Sequence, residues 1–207
     1  GNRVGVDALC SMAARFHFGQ KPQIPLPMTA SGINPDKKWR KSTGRKWYAG
    51  DTINLSIGQG PFEVTPLQVA CAYAAIANGG TYFYPRLVAK ITGGLQDAVF
   101  PSRSESLGIK KSSLLPTRER LRRVAKEQGG TAYRVFQDVS FHKVAGKTGT
   151  AQYGPQNEKA YAWFAGYAPC DAPRIVVVVL IEEGEAGGTT AAPLAKHVLM
   201  DYFTMGG

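Results

Sequence analysis

The sequence predicts an α+β domain in which an antiparallel sheet is covered by helices on both faces. Three observations carry that prediction. Three β-rich runs follow one another at 143–153, 160–168 and 174–183, joined by short Gly/Pro/Asn/Asp segments that suit hairpins rather than crossovers. The third run contains Ile175–Ile181, apolar without alternation, and so needs cover on both faces. Two apolar helical segments, one opening at Pro66 and one near Thr190, can provide that cover.

Each element has its own signal. Val4, Val6, Leu9, Met12, Ala13 and Phe16 recur near helical spacing, predicting an amphipathic helix over 4–18 that ends at Gly19. Residues 20–50 are basic, Pro- and Gly-rich and without a sustained period, so an irregular segment is expected there. Thr65 is a good N-cap, Pro66 suits the first helical position, and Gln68 completes a capping box. The helix that follows stops at Asn78-Gly79-Gly80 and, with little polar surface, should be buried. Residues 82–91 read as extended and 100–116 as a polar loop. A charged helix is expected over 117–128, capped by Thr117 and ended by Gly129-Gly130. Leu194, Val198, Leu199 and Tyr202 mark a closing amphipathic helix over 190–203.

Composition excludes several classes. With 207 residues, 43% hydrophobic and 19% charged, the chain is globular and long enough for a sizeable core. The net charge of +10 is concentrated in Lys37, Lys38, Arg40, Lys41, Arg45 and Lys46, and in Arg118, Arg120, Arg122, Arg123 and Lys126. Such an excess suits an anionic partner, although a solvated basic surface explains it equally well. Neither cluster has the interleaved aromatics of a single-strand binder, and no nucleic-acid partner is expected. Cys10, Cys71 and Cys170 are far apart and lack metal-ligand spacing, so neither a metal nor a cofactor is expected. No apolar run is long enough to cross a bilayer, and Gly1-Asn2-Arg3 is not a signal peptide; a trimmed or partial chain is expected.

One tetrad carries chemistry. Lys147-Thr148-Gly149-Thr150 lies within the first β-run, where interior glycines mark close approach of another backbone or a ligand. At a sheet edge, such a strand can pair with an extended peptide. Lys147 supplies fixed charge, and the hydroxyls of Thr148 and Thr150 can hold a carboxylate. Equally, a surface strand with a solvated lysine accounts for the tetrad taken alone. His17, His142 and His197 are scattered and read as surface or satisfied histidines. Glu182, Glu183 and Glu185 read as a solvated strand end, and Asp51 as a turn organiser.

Lys-Thr-Gly is one of three motifs of penicillin-binding proteins and class A β-lactamases, beside Ser-x-x-Lys and a Ser-x-Asn element. More of the chain resembles the class B, elongation-type penicillin-binding protein 2 family. The matching pieces are Trp47-Tyr48-Ala49-Gly50-Asp51-Thr52, Ile57-Gly58-Gln59-Gly60, Thr65-Pro66-Leu67-Gln68, Gly130-Thr131-Ala132, Val144-Ala145-Gly146-Lys147-Thr148-Gly149 and residues 162–169. The resemblance runs nearly end to end. It implies a penicillin-binding protein / serine β-lactamase-like transpeptidase fold, incomplete here because Ser-x-Asn is absent. The sole Ser-x-x-Lys, at Ser140, stands too close to Lys147 to be the family's nucleophile.

The implied function is peptidoglycan D,D-transpeptidation in cell elongation, with this chain contributing the substrate-binding strand and not the nucleophilic serine. On the same basis Lys147 and Thr150 are expected to be catalytic, and Thr148, Gly149 and Thr150 to bind substrate. Tyr153, Tyr161 and Trp163 are candidate cleft walls, with ordinary strand packing as the competing explanation. The implied partners are the peptidoglycan stem peptide, β-lactam antibiotics, the N-terminal part of the same enzyme and other cell-wall elongation proteins. The implied location is the periplasm, with the full-length protein anchored in the inner membrane. A β-lactam-hydrolysing relative and a non-catalytic basic binding module of the same fold are the alternatives.

Overall fold

The computed structural model describes residues 1–27, 29–94, 97–139, 143–156 and 158–206. They fall into two compact units. Unit 1 comprises Gly1–Cys71 and Thr81–Leu107; unit 2 comprises Ala72–Gly80 and Gly108–Gly207.

Unit 2 is built on a three-stranded antiparallel sheet in the order β5-β6-β7: β5 (Ala145–Tyr153), β6 (Lys159–Ala168) and β7 (Ile175–Ile181). The register sets Lys147 opposite Ala165, Thr148 opposite Phe164 and Gly149 opposite Trp163. Because side chains alternate across a sheet, Phe164 and Val177 point to one face and Tyr167 and Val176 to the other. Onto the first face pack Ala192, Ala195 and Leu199 of α7 (Ala192–Thr204) and Phe136 of α6 (Tyr133–Phe136). On the second, Tyr167 packs with Ala77, Tyr73 and Leu121. Helices therefore cover both faces, as the unalternating apolar run of β7 requires.

Residues 66–77 form α4 (Pro66–Ala77), whose last turns lie in unit 2. Its cap is reciprocal: the Gln68 N–H donates to Thr65 Oγ1 at 3.2 Å, and Thr65 N–H donates to Gln68 Oε1 at 2.8 Å. The helix ends where Gly79 and Gly80 take φ of 92° and 106°, conformations open to glycine.

Two expectations fail in instructive ways. The charged helix α5 spans Lys111–Lys126, six residues earlier than expected, with Pro116 inside it and Lys110, not Thr117, at the cap. Leu114 and Ala125 are buried and Leu121 packs on the sheet, so the burial along this helix outweighs the backbone bond that Pro116 removes. The closing helix begins at Ala192, after a π-helical turn over Gly187–Ala191.

In unit 1, α1 runs only over Val6–Arg15, shorter at both ends than the periodicity suggests, and α3 covers Ala49–Ser56. The stretch 20–50, expected to be irregular, contains α2 (Lys37–Thr43). Its signals are caps rather than periodicity: Asp36 accepts from Trp39 N–H at 2.8 Å, and Gly44 closes it at φ 64°. Residues 81–106 form two small antiparallel ladders, β1 (Thr81–Phe83) with β4 (Ser104–Ser106) and β2 (Lys90–Ile91) with β3 (Ala98–Val99). The strand β4 lies within what composition alone marks as a polar loop.

Candidate active-site strand

β5 carries Lys147-Thr148-Gly149-Thr150 and pairs with β6 along one edge; among the described residues no strand pairs with its other edge. The strand is formed because β6 offers a nine-pair register, and because Gly146 and Gly166 let the two backbones close over the Phe164 ring. A Cβ on Gly146 would stand 2.7 Å from both Ala165 O and the Phe164 ring tip. The close approach expected at Gly146 is thus to the sheet's own neighbours. Gly149 is looser, a Cβ there meeting Trp163 Cβ at 3.3 Å.

Alternation divides the candidate residues between two faces. Lys147, Tyr153, Tyr161 and Trp163 share one face, and Thr148 and Thr150 share the other. On the first, Tyr153 and Tyr161 stack with ring centroids 4.1 Å apart and 14° between planes. Their contact is thus strand packing, and the half-buried Trp163 covers Gly149 from the facing position. Partial desolvation, aided by the Glu183 carboxylate, raises the Tyr153 phenol above its ordinary value. Lys147 is exposed; its Nζ curls over the strand to donate to Thr148 O at 2.7 Å and lies 3.4 Å from Thr148 Oγ1. The ammonium and the Thr148 hydroxyl therefore converge despite starting on opposite faces.

On the face of Thr148 and Thr150, which Phe164 shares, two features appear that composition and spacing did not single out as site residues. Thr131 Oγ1 lies 2.6 Å from Thr148 Oγ1. The π-helical turn rests on the strand, with Gly187 N–H donating to Thr150 Oγ1 at 3.4 Å. Gly187 admits no side chain, since a Cβ would fall 2.2 Å from Trp163 O and 2.5 Å from Gly149 O. The signal for this was present as Gly187-Gly188 just before an apolar helix, a pairing that marks tight backbone approach. Lys, two hydroxyls and an open strand edge make a site suited to an extended peptide bearing a carboxylate.

Of the remaining candidates, Ser140 and His142 lie outside the described residues. His197 is exposed, and His17 pairs with Glu105 and packs on Tyr82 with centroids 4.3 Å apart. Asp51 accepts from Tyr48 N–H at 2.9 Å, organising the start of α3. Cys10, Cys71 and Cys170 are free and buried, and burial raises each thiol above its ordinary value. Much of the basic excess is locally engaged: Arg122 with Glu119, Arg123 with Glu127, Arg40 and Lys37 with Asp7. No helix among the described residues is long and apolar enough to cross a membrane.

Residues 1–200 match the family model of the penicillin binding protein transpeptidase domain. The chain belongs to that family. It is similar to peptidoglycan D,D-transpeptidase MrdA of Haemophilus influenzae, with 35% identity covering 97% of this chain and 33% of that protein. MrdA of Acinetobacter baumannii is 34% identical, covering 99% of this chain and 32% of that protein. The chain thus spans about a third of the length of these curated relatives. Among solved structures, Pseudomonas aeruginosa PBP2 in complex with WCK 5153 has a TM-score of 0.80 at 32% identity, covering 97% of this chain and 44% of that one. The complex between PBP2 and MreC from Helicobacter pylori gives 0.83 at 27%, covering 99% and 37%. The transpeptidase fold and the likeness to PBP2/MrdA-type proteins stand on these matches.

Proposed function

We propose that these residues are the Lys-Thr-Gly half of the catalytic centre of a peptidoglycan D,D-transpeptidase of cell elongation. The observation that carries the reading is the open edge of β5, where Lys147 Nζ and the Thr148 hydroxyl come together. The complete enzyme would bind a stem peptide along this edge. Its serine would attack the carbonyl of the D-Ala-D-Ala amide, release the terminal D-alanine and leave an ester. An amine from a neighbouring strand would then displace the serine oxygen and form the cross-link.

In this scheme Lys147 draws the terminal carboxylate and supports proton movement to and from the serine. The Thr148 and Thr150 hydroxyls hold the carboxylate, and the Thr150 N–H donates to the oxyanion of the tetrahedral intermediate. Gly149 keeps the strand surface low beside Lys147, on the face that Trp163 shares. The contact from Thr131 fixes the Thr148 rotamer. Trp163, Tyr153 and Tyr161 brace the strand on the face that Lys147 shares. A β-lactam occupies the same edge by offering a carboxylate and an acylating carbonyl in similar relation. The whole protein is assigned to the periplasm, anchored in the inner membrane and acting with other elongation proteins.

The nucleophile is assigned to a serine outside these 207 residues, consistent with relatives about three times as long. Labelled penicillin, reacted with the full-length protein and followed by peptide mapping, tests this. The expected adduct is on a Ser-x-x-Lys serine elsewhere in the protein. An adduct on Ser140, or none on folded protein, would overturn the assignment.

A further inference from the structure

Thr131 sits on the exposed connection between α5 and α6, yet its backbone is clamped on both sides. Before it, a Cβ on Gly130 would fall 2.3 Å from Val124 O, so the chain lies tight against the end of α5. After it, the Ala132 N–H donates to that same Val124 O at 3.2 Å, and Ala132 is fully buried. Gly188 closes on it as well: a Cβ there would stand 2.6 Å from Thr131 O. These approaches hold an exposed threonine so that its hydroxyl lies 2.6 Å from Thr148 Oγ1 instead of turning to water.

The chemistry of the pair follows from counting protons. A threonine hydroxyl has one proton to give and two lone pairs to accept with, whereas a lysine ammonium can only give. Lys147 Nζ, 3.4 Å from Thr148 Oγ1, therefore takes one of the Thr148 lone pairs. Between the two hydroxyls, two arrangements are open. With Thr148 as donor, its single proton is spent inside the protein. With Thr131 as donor, Thr148 Oγ1 accepts from both Thr131 and Lys147, and its proton is left for a group outside the chain. A carboxylate, which only accepts, selects the second arrangement, and each bond in the chain then strengthens the next.

We infer that Thr131 is a positioning residue: by donating to Thr148 Oγ1 it turns the Thr148 proton outward, to meet the carboxylate drawn by Lys147. The inference rests on the transpeptidase reading and deepens it, because it adds a determinant of carboxylate selectivity from outside the Lys-Thr-Gly strand. Thr131 does not touch the substrate in this scheme and acts only through Thr148.

The test compares second-order acylation rates of the full-length protein by benzylpenicillin and by its methyl ester, which keeps the reactive β-lactam carbonyl but loses the anionic carboxylate. The readout is the acid-to-ester rate ratio, taken on one preparation so that any unfolded fraction cancels. Thr131→Val keeps the shape and removes the proton; it should lower the ratio about threefold to tenfold, the range of one hydrogen bond. Thr131→Ser restores the donor and should bring the ratio back close to that of the parent. A merely structural role would slow both compounds alike and leave the ratio where it was. A parent preference for the acid that survives in Thr131→Val overturns the inference and leaves the transpeptidase reading standing. So does a preference lost equally in Thr131→Val and Thr131→Ser, since side-chain shape and not the proton would then be responsible. A parent that reacts equally with acid and ester removes the carboxylate from Lys147 and Thr148 and overturns both.

Discussion

Unit 2 closes around apolar side chains packed on a sheet, whereas unit 1, beside buried Cys10, Tyr82 and Leu107, is tied together by polar side chains that reach across the chain to the backbone. In unit 2, Phe164 is fully buried, stacks toward Phe136 at 5.3 Å and is surrounded by Ala162, Ala192 and Ala195. In unit 1, the largest buried side chains include Gln68, 2% exposed, whose amide donates to Gln20 O and Ser31 O at 2.9 Å while its carbonyl accepts from Thr65. Arg15 likewise donates to Leu107 O, and Asn34 to Cys10 O at 2.9 Å. The difference follows from backbone regularity. A ladder satisfies its own N–H and C=O groups and leaves the side chains free to be apolar. An irregular chain must find partners for those groups among side chains.

The comparison can be broken by substitution. Phe164→Ala should be the most damaging, lowering stability by about 3–5 kcal/mol through lost burial and a residual cavity, read from urea unfolding. A loss below about 1 kcal/mol would mean that the sheet does not depend on this ring. Gln68→Leu keeps most of the volume but takes the amide donor from the Gln20 and Ser31 carbonyls and the acceptor from Thr65 N–H, and should cost about 1–3 kcal/mol by the penalty for unsatisfied groups. If leucine were neutral there, the buried amide would not be what ties these segments of unit 1 together. A finer test compares the two strand glycines. Gly146→Ala forces a methyl against backbone and should destabilise by about 1–3 kcal/mol, while Gly149→Ala, facing only the Trp163 side chain, should cost less. The reverse order would show that Phe164 yields more readily than Trp163.

This contrast also explains what could be read from the sequence. The three strands of unit 2 were legible to within two residues at each end, because Ile175–Ile181 is a β-branched run, the two runs before it carry Thr, Tyr, Trp and Phe among small residues, and the joints hold turn formers. The α4 cap was legible down to its hydrogen bonds, since Thr65 and Gln68 act locally. By contrast α5 was misplaced, because Pro116 reads as a breaker while the burial of Leu114 is a tertiary fact. In 20–50, α2 was hidden because its seven residues have no apolar period, and only Asp36 and Gly44 announce it. At the site, Lys147 to Thr150 were visible as a tetrad within a strand. Thr131 and Gly187 were not, since their contacts with Thr148 and Thr150 span 17 and 37 residues. The split of Lys147 and the threonines onto opposite faces follows from period-2 alternation, yet the curl of Lys147 back to Thr148 required the folded strand.

The most direct measurement on the central claim is the second-order rate of acylation of the full-length protein by labelled penicillin, with Lys147 intact and with Lys147→Ala. If the ammonium acts where charge develops in the transition state, the variant should react slower by about 10²-fold or more. Its unfolding midpoint should be close to that of the parent, because Lys147 is exposed. An unchanged acylation rate in a folded Lys147→Ala protein would contradict the account and remove this strand from the catalytic centre.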